Sequence, residues 1–141
     1  MNIHKPDPSS ATRLDWGLFL LRVIFGLSFI LYGSGKLLDG PERWTALGQM
    51  GPGSLGIHVL PAFWGFLAAA SEFGGGLCLL LGICDWRVLI FPILTLAVAI
   101  GFHLVSGKGS PWHALETMSV FVTLSLTGSG ALTFFHLETQ T

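Results

Sequence analysis

Four stretches of this chain approach the ~20 apolar residues that cross a bilayer, and each carries a strongly polar residue: Arg22, Glu72, His103 and Glu116. Ionisable groups in lipid cost roughly 2.5–3.5 kcal/mol each even on lenient insertion scales. A chain with one on every apolar stretch is expected to turn them toward each other, around a shared interior where function is to be sought. The stretches cover residues 14–37, 62–83, 87–105 and 113–134. Composition agrees. Hydrophobic residues make up 51% of the chain and charged residues 11%, whereas soluble domains carry about 25% charged residues. A net charge of −1 gives no electrostatic footprint for nucleic acid.

The reading is therefore an all-α integral membrane four-helix bundle with a long loop between helices 1 and 2. Residues 1–13 form a disordered lead, 14–134 a single transmembrane domain and 135–141 a tail. Trp16, Trp64, Trp86 and Trp112 fall at the starts of the four spans, where amphipathic rings prefer the headgroup layer. Trp44 lies in the first loop, within a segment opened by Pro41 that could form a short interfacial helix. Cys78 and Cys84 lack metal-binding or redox spacing and read as packing residues; no metal site is expected. With four spans both termini share one side, called side A here. Lysine and arginine are balanced between the two sides, and snorkelling of Arg22 tips side A toward the cytoplasm.

Helical spacing shows what travels with each polar group. Arg22 shares a face with Gly26, Phe29, Gly33 and Lys36; Glu72 with Gly65, Ala68, Ala69, Gly75 and Gly76. Small residues at that spacing let helices approach closely in lipid. His103 aligns with Ala99, Thr95 and Pro92, and Glu116 with Ser119, Thr123 and Thr127. A rise of about 1.5 Å per residue puts Arg22 and Glu72 at similar depth, so a structural ion pair Arg22–Glu72 is expected. A second layer toward side B would hold Lys36, His103, Glu116 and Tyr32. Each group also has a plainer role. In that reading the ion pair fixes register, Lys36 and His113 anchor helix ends, and Glu116 complements a helix dipole.

On these same residues the sequence resembles the DoxX family of small four-helix membrane proteins. The matching segments run Leu21-Arg22-Val23-Ile24-Phe25-Gly26-Leu27, Tyr32-Gly33-Ser34-Gly35-Lys36-Leu37, Glu72-Phe73-Gly74-Gly75-Gly76, His103, and Leu126-Thr127-Gly128-Ser129-Gly130. The resemblance implies a bacterial or archaeal cell membrane and a subunit of a membrane-bound oxidoreductase system, including quinol oxidation and thiosulfate–quinone oxidoreduction. It implies no catalytic role for any one residue.

The leading expectation is a quinone-linked membrane subunit without a redox cofactor of its own, supplied with electrons by other membrane subunits. His103 and Lys36 would donate to a quinone carbonyl, and Glu116 or Glu72 would exchange protons. Phe29, Phe102 and Tyr32 would line an apolar slot. The alternatives are a non-catalytic anchor of a larger complex and a small-molecule carrier. The carrier is disfavoured because no inverted repeat or pair of broken helices is evident, Pro92 standing alone. Haem is disfavoured because His103 and His113 flank one loop instead of facing each other across a bundle.

Overall fold

Thr12 and Asp15 open the first helix with a reciprocal capping box. The Thr12 hydroxyl accepts the Asp15 N–H, and the Asp15 carboxylate accepts the Thr12 N–H at 2.8 Å. The computed structural model describes residues 11–133. Within them are five helices: α1 Arg13–Leu38, α2 Pro41–Met50, α3 Pro61–Leu81, α4 Trp86–Ser106 and α5 Trp112–Thr127. A short 3-10 turn, Pro52–Leu55, follows α2. Three helices, α1, α3 and α4, are long and apolar enough to cross a membrane. The expectations for residues 1–10 and 134–141 lie outside the described residues.

Five helices stand where four were expected, the added one being the short helix that the Pro41 segment was expected to be able to form within the first loop. Pro41 sits at the first helical position, where its missing N–H costs nothing, and the segment after it is a ten-residue helix. The expected end of the fourth span also moves. α5 stops at Thr127, because Gly128 closes the last turn onto the Leu124 carbonyl and then leaves the helix at φ 77°. The apolar Ala131-Leu132 that follows looked like more helix but is not helical.

Helix α3 is central, packing against α1, α2 and α4, while α5 lies on α4. The α1–α3 seam is made of glycine. A Cβ on Gly76 would fall 2.6 Å from the Gly26 carbonyl oxygen and 2.7 Å from the Ile30 nitrogen, and one on Gly33 would run into the Phe73 backbone. The expected small-residue faces of α1 and α3 are the buried ones: Arg22, Gly26, Phe29 and Gly33 against Gly65, Ala69, Glu72, Gly75 and Gly76. Pro92 does not interrupt α4; its ring fits where Gly75 lacks a side chain.

The seam sets the register. Gly33 is level with Phe73, so α1 ends well short of the start of α3. The first two turns of α3 are covered by α2 instead. Gly65 meets the Trp44 carbonyl and Gly48 the Pro61 carbonyl, both so closely that no side chain fits at either glycine. The Trp44 indole N–H donates to the Lys36 carbonyl at 3.0 Å, tying α2 to the end of α1.

Candidate functional site

Side chains on a helix lean toward its N-terminus. That rule decides the fate of the buried charges. Lys36 on α1 leans toward side A, and Glu72, on the antiparallel α3, leans toward side B. They therefore converge. Lys36 Nζ donates to both Glu72 oxygens, at 2.7 and 2.6 Å. Arg22 leans away from Glu72, toward side A, where its Nη2 donates to the Leu132 carbonyl. The expected Arg22–Glu72 pair is not formed. Its depth estimate assumed level helix ends, and α1 ends too deep for that.

The Lys36–Glu72 pair forms one end of a pocket of about 480 Å³ between α3 and α4, with α2 and the 3-10 turn as its floor. Beside the pair, the hydroxyls of Ser71 and Thr95 meet at 2.7 Å across the α3–α4 gap. Thr95, Ala99 and His103 line the α4 wall one turn apart, which puts His103 roughly 12 Å along the helix from Thr95. Between these polar ends the lining is apolar, including Trp64, Phe91 and Phe102. The volume lies in the range of small-molecule sites, which are mostly apolar with a few placed polar groups.

His103 is half-buried, and its Nδ1 lies 2.6 Å from the Lys108 carbonyl. A carbonyl only accepts, so Nδ1 carries the proton, and Nε2 is left to accept, or to donate when the ring is charged. Gly109 lies against this ring so closely that a Cβ there would fall 3.1 Å from Cε1 and Nδ1. The side B loop thus sets both tautomer and orientation of His103.

Four expected site residues, Lys36, Glu72, Phe102 and His103, share this pocket. Four others do not. Phe29 is buried in the core against Phe121, with ring centroids 4.6 Å apart. Tyr32 is 58% exposed, one residue off the Phe29–Gly33–Lys36 stripe. Glu116 faces outward with Ser119, Thr123 and Thr127, while α5 buries Ala114, Thr117, Phe121 and Leu124. The stripe misled because its hydroxyls serve their own helix: Ser119 bonds the Glu116 carbonyl, Thr123 that of Ser119 and Thr127 that of Thr123. Arg22 belongs to the opposite end. The sequence reading missed Ser71 and the α2 floor; the glycines at 48 and 65 were the available signal for the floor.

A family model described as DoxX matches residues 17–107. Among curated proteins, the inner membrane protein YqjF of Escherichia coli is 27% identical over 128 residues, covering 87% of this chain and 92% of the relative. A Haemophilus influenzae protein described as uncharacterized is 28% identical over 122 residues, covering 81% and 84%. No solved structure matches the chain.

Proposed function

The chain belongs to the DoxX family and is an integral membrane protein, and from that premise we propose that it is the membrane subunit of a quinone-linked oxidoreductase system. The observation that carries this reading is the α3–α4 pocket, apolar along its length and polar at Lys36–Glu72 and at His103. A quinone is an apolar ring and tail with two carbonyl acceptors, and this lining suits it. Bound quinone would supply the redox chemistry; the chain's residues bind, orient and handle protons. Lys36 Nζ has a third N–H beyond the two given to Glu72, available to a carbonyl. His103 Nε2 can carry a proton to or from the second polar position, and Glu72 can hold the proton that Lys36 would otherwise balance. Trp64, Phe91 and Phe102 exclude water from the ring's flanks. Electrons reach the site from a partner subunit.

The test is purification of the full chain in mild detergent with extraction and analysis of quinone. Bound quinone is expected, reduced in His103→Ala and Lys36→Met. Absence of quinone, with turnover of the assembled system unaffected by His103→Ala and Glu72→Gln, overturns the proposal. A second reading, a non-catalytic anchor subunit, is favoured by the completeness of the Lys36–Glu72 pair. Under it Glu72→Gln lowers copurification of partner subunits and leaves turnover per complex unchanged.

A further inference from the structure

Arg22 is 1% exposed, and two of its three nitrogens, Nε and Nη1, have no hydrogen-bond partner. Among the described residues the ion pairs are Lys36–Glu72 and Arg43–Asp39, so no carboxylate there answers this guanidinium. The nearest acid on its own helix face, Asp15, is occupied: it caps Thr12 and accepts the Ala131 N–H at 2.7 Å. Cys84 lies beside Arg22, but burial pushes its thiol up to about 11, so it stays neutral and supplies no charge. The Phe19 ring, 5.8 Å from the guanidinium carbon, offers a weak cation–π contact. A sealed cation with this little compensation is unfavourable.

The surroundings form a cradle with a cover. Gly82 turns the chain at the end of α3 at φ 82°, and a Cβ there would run into Arg22 Nη1. Residues 128–133 leave α5 and cross back over side A as non-helical chain. Two side chains of α1 hold this strap: Asp15 through Ala131 and Arg22 through Leu132. Releasing the Leu132 carbonyl frees the whole guanidinium fork, the geometry that takes phosphate or carboxylate bidentately.

We propose that Arg22, Gly82 and the 128–133 strap form an anion site that takes a phosphate-type oxyanion, reached when the strap lifts from side A. The oxyanion is either free phosphate or the headgroup of an anionic lipid, since Arg22 lies close to the end of the bundle. The site is separate from the α3–α4 pocket and does not depend on its assignment.

The test uses the full chain in nanodiscs. One arm has phosphatidylcholine alone, titrated with inorganic phosphate; the other adds phosphatidylglycerol without free phosphate. A saturable rise in melting temperature is expected in the first arm if the source is free phosphate, in the second if it is lipid. The rise disappears in Arg22→Met and persists in Arg43→Gln. Should Arg22→Met fail to fold, Asp15→Ala serves: with the acceptor of the Ala131 N–H removed, the same final shift is reached several-fold faster. No saturable shift in either arm overturns the proposal. So does a shift that survives Arg22→Met, or an unchanged rate in Asp15→Ala.

Discussion

Two cations are taken into this bundle from the same face of α1, and they meet opposite circumstances. Lys36 leans into a gap where Glu72 leans toward it, and both carboxylate oxygens are engaged. Arg22 leans to the far end, gains one carbonyl and a ring, and is sealed more completely than Lys36. The difference teaches that a shared helical face says little about partnership. Helix direction and relative helix ends decide it, because antiparallel neighbours aim their side chains at each other only when the residue on each helix lies past the other along its own chain direction.

The strongest test of this contrast is to remove one partner at each end. Glu72→Ala leaves a part-buried ammonium alone and is expected to cost about 3 kcal/mol, at the lower end of the range for broken buried pairs because Lys36 retains some access to solvent. Arg22→Met removes an uncompensated charge together with one carbonyl bond and is expected to cost no more than about 1 kcal/mol in zwitterionic lipid without phosphate. Thermal unfolding in matched nanodiscs measures both, and equal losses would break the comparison. Next is Phe29→Ala, expected to cost about 3 kcal/mol, the low end for a buried phenylalanine, through the cavity against Phe121. Quinone content per folded molecule should hold, since Phe29 packs in the core.

A smaller effect appears at alkaline pH at the Arg22 end. The folded Cys84 thiol is pushed from 9.0 to about 11, so between those values the unfolded chain loses a proton that the folded chain keeps. Its contribution to stability is therefore complete below about pH 9 and is lost as pH rises through about 11. Comparing pH–stability curves of the native chain and Cys84→Ala isolates this loss, which the variant should lack. The smallest effect belongs to Glu116→Gln, expected to stay within about 0.5 kcal/mol and to leave quinone content unchanged. A large loss there would return Glu116 to the site.

The faces of α1, α3 and α4 were legible because glycine, alanine and the rare charges fall at helical spacing, and burial follows that spacing at Gly26, Gly33, Gly65 and Gly76. The placing of Lys36 and His103 in one layer was legible on the same grounds, whereas Glu72 was expected apart from them, beside Arg22. The face of α5 was not, because serine and threonine can satisfy themselves on their own helix and need no polar interior. Nor was the pairing of Glu72. It depends on α1 ending a helix turn or two below the start of α3, a fact set by backbone contacts at Gly33 and Gly65 that no single-helix pattern contains.

The Lys36–Glu72 bond joins residues 36 positions apart, and synthesis runs at about 5–20 residues per second, so Lys36 leaves the ribosome roughly 2–7 s before its counter-ion exists. During that interval α1 must enter the bilayer carrying a charge near its trailing end that only water or headgroups can meet. Burial of Lys36 against a counter-ion therefore has to await α3, which carries Glu72. Insertion of the second apolar segment is what completes the first.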